Sequence, residues 1–121
     1  GGVPSTVPVR LTGWPYPATS THISAIAFKA PGWIAVSGVG HPSGKRVLDQ
    51  DVLLANVDTG KVCRVAHHHS WAKEGRMGYW GEPQVTISPS GTRMLFASDW
   101  GNSDSVDTYV IELPSYKQIG N

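Results

Sequence analysis

The histidine triplet in "AHHHSW" has the clearest potential for chemistry in this sequence. Imidazole nitrogens are common ligands of zinc and other divalent metals. In an extended strand neighbouring side chains point to opposite sides, so His67 and His69 share a side and His68 faces away. Two imidazoles could then share one ion, and a third ligand must come from elsewhere. The candidates are His22, His41, Glu82 and Asp99, none of them at a diagnostic spacing. The alternative is a surface triplet that packs partly on Trp71.

Other motifs of catalysis or cofactor binding are weaker. The loop "DWGNSDSVD" carries several acidic and amide side chains, but it lacks the residue order of an EF-hand and is equally suited to capping its own backbone. The sequence contains no nucleophile elbow, phosphate-binding loop or zincin motif. A divalent metal is therefore the one cofactor considered, and the sequence leaves open whether the chain is an enzyme.

Most of the tryptophans fall in or beside long polar segments, together with all the histidines. Exposed aromatic rings suit flat, partly apolar partners such as sugar rings, and nearby carboxylate and amide groups can bind hydroxyls. The predicted ligand-binding residues are Trp71, Tyr79, Trp80, Glu82, Gln84, Asp99 and Trp100. The competing interpretation is that the loops fold over and use these rings as a small core of their own.

The elements that must position these residues are strands. Short runs rich in Val, Ile, Phe and Thr recur between Gly, Pro, Asp and Ser turns, which predicts an all-β chain. The runs are "VPVRLT", "HISAIAF", "WIAVSGV", "DVLLANV", "KVCRVA", "PQVTIS", "RMLFAS" and "DTYVIEL".

The runs also repeat as a unit, with a tight turn at Gly32 in the first copy and at Gly91 in the second. We expect residues 1–22 to hold an outer strand of a preceding unit and a loop, residues 23–79 a first unit and a loop, and residues 80–121 a second, incomplete unit. Antiparallel four-stranded units in series are typical of β-propeller blades. A β-sandwich of comparable strand number is the alternative.

The segment "SPSGTRMLFASDW" resembles the blade signature of TolB-like and oligogalacturonate-lyase-like β-propellers, and the similarity extends from Glu82 to Leu113. The resemblance implies a propeller and, for the lyases, a divalent metal held by histidines just before this strand. Here Glu82 and Gln84 stand where those histidines would be. The expected function is binding of a carbohydrate or protein ligand by the loop-rich face. The alternative is a metal-dependent carbohydrate-active enzyme such as a polysaccharide lyase.

Composition limits the partners. Among 121 residues, ten basic and nine acidic side chains give a net charge of +1 without a basic cluster, so nucleic acid is not an expected partner. No apolar run is long enough to span a membrane.

Cys63 is the sole cysteine and is expected to be a packed thiol. An extracellular or periplasmic location is expected, and cysteine usage does not decide it. Because two units do not close a ring, further blades or further copies of the chain are expected partners.

Overall fold

A computed structural model describes residues 21–41, 43–46, 48–72 and 78–114, which form two antiparallel sheets. Sheet one has the order β1-β2-β3-β4 and sheet two the order β5-β6-β7. The strands are β1 (Thr21–Ser24), β2 (Trp33–Gly38), β3 (Asp51–Asn56), β4 (Val62–His67), β5 (Thr86–Ile87), β6 (Arg93–Ser98) and β7 (Asp107–Glu112). A 3₁₀ turn, Gly78–Gly81, precedes β5. The all-β prediction is confirmed, and the sheets do not close on each other. The predicted first strand "VPVRLT" and the tail "KQIGN" lie outside the described residues.

Two predicted strands are shorter than their apolar runs. The run "HISAIAF" leaves the sheet after Ser24, and the amide of Phe28 bonds the carbonyl of Ile26 in a tight turn. In "PQVTIS" only Thr86–Ile87 pairs, because Gln84 has a positive φ of 42° on one side and Pro89, which lacks an N–H, follows on the other. Apolar content alone therefore overestimates both strands.

The hydrophobic core lies between the sheets and is built by side-chain alternation. On β6, Met94 and Phe96 point inward while Arg93 and Leu95 point outward. The buried core residues are Ala27, Ala35, Val52, Leu54, Val85, Ile87, Met94 and Phe96. Cys63 packs against this cluster, half-buried and unpaired, as expected for a core thiol.

The short turns gather at one end of the sheets. The amide of Lys29, in the β1–β2 turn, donates to the carbonyl of Pro89 in the β5–β6 turn at 2.9 Å. Gly91 has φ +73°, and a Cβ there would come within 2.7 Å of the Ala30 side chain, so the two turns are in direct contact. In the β3–β4 turn, by contrast, Val57 to Gly60 are all exposed. Within the described residues, no helix has the length and apolarity needed to cross a membrane.

Candidate functional site

The long loops gather at the opposite end, where residues 68–72 are hydrogen-bonded to residues 98–102. We call these two segments the latch. Their bonds run from Ser98 Oγ to the His68 carbonyl (2.7 Å), from the Gly101 amide to the His69 carbonyl (2.9 Å) and from the Asp99 amide to Ser70 Oγ (3.2 Å). The latch fastens the segment that follows β4 to the end of β6, so it fixes the loop end of one sheet against that of the other.

Asp99 is the centre of the latch and has no exposed surface. Its Oδ1 accepts the amides of Trp71 (2.8 Å) and Asn102 (3.0 Å), and its Oδ2 accepts the amide of Ala72 (3.0 Å). A carboxylate held by three backbone donors has little capacity left for a ligand. Asp99 is therefore removed from the ligand-binding set predicted from sequence, since its role here is to order the loop backbone.

His68 is also fully buried in the latch. Its Nε2 lies 2.7 Å from the Gly38 carbonyl, and its Nδ1 accepts the Ser70 amide at 2.9 Å. These partners require the neutral tautomer with the proton on Nε2. Burial lowers the pKa of His68 to about 4, against the opposing effect of the Gly38 bond. His68 therefore serves as a neutral structural link.

The rings of His67, the last residue of β4, and His69, which lies beyond the strand, meet with centroids 4.8 Å apart in an edge-to-face contact. Nδ1 of His67 is 3.4 Å from Oδ1 of Asp51, a buried carboxylate whose other oxygen lies 2.9 Å from Nε of Arg64. Among the residues that the structure describes, no group of three or more His, Cys, Asp or Glu is arranged to hold a metal ion. The donor set therefore does not fit the metal site that the lyase resemblance implies, and we derive no chemistry from one.

Four rings instead contact one another in a row, which we call the aromatic row: His67, His69, Trp100 and Tyr109. The ring centroids of His69 and Trp100 are 4.6 Å apart, and those of Trp100 and Tyr109 are 5.0 Å apart. Trp100 remains 51% exposed. His69 (φ 56°) and Trp100 (φ 42°) both have left-handed backbones, which is uncommon for such residues and frequent at binding sites.

A second group, the aromatic pair, consists of Tyr79 and Trp80 on the 3₁₀ turn. Their ring centroids are 5.6 Å apart, and the residues are 61% and 73% exposed. The turn is anchored to the latch because Ser70 Oγ donates to the carbonyl of Gly81. The latch therefore supports the aromatic row and the aromatic pair together.

Beyond the aromatic pair, Glu82 is hydrogen-bonded to His22 of β1, with 2.7 Å between Oε2 and Nε2. Both side chains keep some exposure, 15% and 29% respectively. Trp71 is 39% exposed and is positioned through its backbone bond to Asp99. Gln84 is exposed and lines a shallow groove of about 160 Å³ together with Thr108 on the outer side of sheet two.

The ligand-binding residues predicted from sequence therefore lie in separate groups. Ring contacts join Trp80 to Tyr79, whereas Trp100 contacts His69 and Tyr109. Sequence reasoning missed Tyr109, because nothing in "DTYVIEL" distinguishes a ring that supports the row from one that fills the core. No protein-family model, curated protein or solved structure matches this chain.

Proposed function

We propose that this chain is a β-propeller-type segment whose loop end binds a carbohydrate. The observation that carries the proposal is the exposure of aromatic rings that contact one another on a hydrogen-bonded support, with Trp80 73% and Trp100 51% exposed. Solvent-exposed tryptophans on an ordered backbone lose little conformational entropy on binding, and their faces suit the C–H surfaces of sugar rings.

The propeller part of the proposal is supported by the order of the strands. Each sheet is an antiparallel meander, and β1 and β5, the first strands of the two sheets, lie next to each other. Serine and threonine side chains fill the space between these strands: Ser24 Oγ lies 3.3 Å from Thr86 Oγ1 and accepts the Ile87 amide at 3.1 Å. Successive meanders with neighbouring first strands are the arrangement expected of consecutive blades.

Polar groups for ligand hydroxyls lie beside the aromatic pair. Glu82 can accept hydrogen bonds, and His22 can donate or accept, while each holds the other in place. The arrangement supports recognition more than catalysis, because the lyase alternative needs a metal ligand set that the described residues do not supply. Binding without turnover is therefore the function proposed.

The test compares tryptophan and phenylalanine variants on a glycan array and by calorimetry with the glycans that bind. Trp80→Ala and Trp100→Ala should each weaken binding by about 1 to 3 kcal/mol, the usual effect of removing an aromatic anchor. Phe28→Ala is the matched control, since Phe28 is also 73% exposed but belongs to the turn end of the molecule. It should leave binding unchanged.

The two tryptophans also distinguish the two groups of rings. An effect of Trp80→Ala alone would assign the ligand to the aromatic pair, and an effect of Trp100→Ala alone to the aromatic row. Glycan binding that survives both substitutions would contradict the proposal, as would a wild-type chain that binds no glycan. If the chain instead binds a protein through the same tryptophans, the ligand is a protein, which is the other ligand class predicted from sequence.

A further inference from the structure

The two sheets share one strand register. In sheet one Ala35 pairs with Leu54, and at the same place in sheet two Leu95 pairs with Val110. The match continues along the strands: Trp33–Asn56 corresponds to Arg93–Glu112, and Ser37–Val52 to Ala97–Thr108. The first strands agree as well, since Ser24 pairs with Ala35 and Thr86 with Leu95. Residues at corresponding positions therefore point to the same side of their own sheets.

This correspondence identifies an uncovered apolar surface on sheet one. Met94 and Phe96, the inward residues of β6, are 0% and 6% exposed in the core. Their counterparts on β2 are Ile34 and Val36, which are only half-buried, and Ile23, paired with Val36, is 64% exposed. We call these three residues face A. Beside it lies a groove of about 340 Å³ lined by Ile34, Phe28 and Val57, among others.

Sheet two has the complementary surface. Ala35 and Leu54, on the inward side of sheet one, are 0% and 4% exposed because sheet two covers them. Their counterparts Leu95 and Val110 are 39% and 58% exposed on the outward side of sheet two. We call these two residues face B. They line a groove of about 710 Å³ together with Ile26, Ile87 and Pro89 and the ion-paired Arg93 and Glu112.

We propose that face B of one copy of this chain packs on face A of a second copy. Within the chain, the inward side of sheet one, which corresponds to face B, already packs on the inward side of sheet two, which corresponds to face A. Face A and face B on the outer surfaces could therefore make the same kind of contact between two copies. On the same side of sheet one, Leu53 and Ala55 of β3 are 4% and 2% exposed, so the exposed apolar surface is confined to β1 and β2. Covering both faces removes exposed apolar side chains from water, which favours association.

The proposed contact joins two different surfaces and is therefore heterologous, so repeated contacts give a ring or an open chain. A variant that lacks face A still has face B, and a variant that lacks face B still has face A. These two variants can therefore still pair with each other through one contact. It does not involve the aromatic row or the aromatic pair, so loss of glycan binding and loss of association are separate outcomes.

The experiment measures the mass of the full chain over a range of concentrations by sedimentation velocity. Ile23→Lys removes face A and Leu95→Lys removes face B, and each variant alone should dissociate at least about tenfold more readily because a lysine charge would be buried in the contact. Ser103→Lys adds the same charge at an exposed loop position and should associate as the wild type does. An equimolar mixture of Ile23→Lys and Leu95→Lys should form a one-to-one dimer and nothing larger.

Circular dichroism establishes that each variant is folded, and Val110→Lys replaces Leu95→Lys if that variant unfolds. A wild-type chain that remains a monomer at every concentration overturns the proposal. Self-association of Ile23→Lys alone also overturns it, because that result would mean that two B faces pack on each other.

Discussion

At the scale of single residues, His68 shows why burial and not residue type decides a role. Its neighbours His67 and His69 lie in the aromatic row, whereas His68 is enclosed in the latch, bonded to Gly38 and Ser70. The neutral imidazole donates one hydrogen bond and accepts another, and these two bonds compensate for its burial as long as the ring carries no second proton.

Acid should therefore weaken the fold through His68. Its folded pKa is about 4, below the ordinary value near 6.5, so the unfolded chain binds the proton more readily. The contribution of neutral His68 is fully present above about pH 6.5 and is lost as the pH falls to about 4, a loss of about 3 kcal/mol in the free energy of unfolding. Urea unfolding at pH 7, 5.5 and 4 measures it.

Two variants separate His68 from other acid effects. His68→Gln keeps a donor for the Gly38 carbonyl but cannot titrate, so it should be less stable at pH 7 and should lose less stability between pH 7 and pH 4. His41→Asn changes an exposed histidine and should keep the acid loss of the wild type. An unchanged pH dependence in His68→Gln would contradict the assignment.

His68 is separated from His67 and His69 as predicted, but strand alternation is not the reason, because β4 ends at His67 and His69 has a left-handed backbone (φ 56°). Sequence could not predict the partners of His68, because Gly38 and Ser70 meet it only after the latch has formed. Asp99 illustrates the same limit. The sequence shows an aspartate in a loop but not whether its carboxylate binds a ligand or accepts backbone amides. Here the amides of Trp71, Ala72 and Asn102 decide between these roles.

At the scale of elements, two glycines with the same backbone angle differ in their surroundings. Gly60 and Gly91 both have φ +73°; a Cβ on Gly60 meets no atom within 4 Å, whereas a Cβ on Gly91 comes within 2.7 Å of Ala30. Gly60→Ala should cost about 1 to 2 kcal/mol of stability from the left-handed backbone alone. Gly91→Ala should cost about 1 to 3 kcal/mol more, since the turns of the two sheets must separate.

Chemical denaturation of the two variants measures that difference directly. Equal losses in both would mean that the turns can move apart freely, which contradicts the close contact seen between Ala30 and Gly91.

The tight turns at Gly60 and Gly91 were predictable from sequence, because the dipeptides "TG" and "SG" interrupt apolar runs. The ends of β1 and β5 were not. After β1 the apolar run continues past the last paired residue and Ala27 enters the core at 4% exposure, whereas before β5 the run starts early and Val85 enters the core at 4% exposure.

At the scale of the whole molecule, the shared core makes the two sheets dependent on each other. Met94 of sheet two is 0% exposed and belongs to the same cluster as Val52 and Leu54 of sheet one. Met94→Ala should therefore destabilise the chain by about 2 to 5 kcal/mol and should do so in both sheets. Native-state hydrogen exchange measures this, because amides of β2 and β3 should lose as much protection as those of β6.

Leu113→Ala is a useful comparison, since Leu113 is only half-buried at the margin of the core and should have a smaller effect. Loss of protection confined to sheet two in Met94→Ala would show that sheet one is stable by itself.

The β3–β4 turn is a suitable place to attach the protein to a surface. Val57 to Gly60 are exposed, and Asn56 Oδ1, which accepts the amides of Asp58 and Thr59 at 3.0 Å, holds the turn from its base. Exposed turns accept insertions at small cost. A biotinylated peptide inserted between Thr59 and Gly60 would attach the protein to a sensor chip by the end opposite the latch, with Trp80 and Trp100 directed toward the glycan solution.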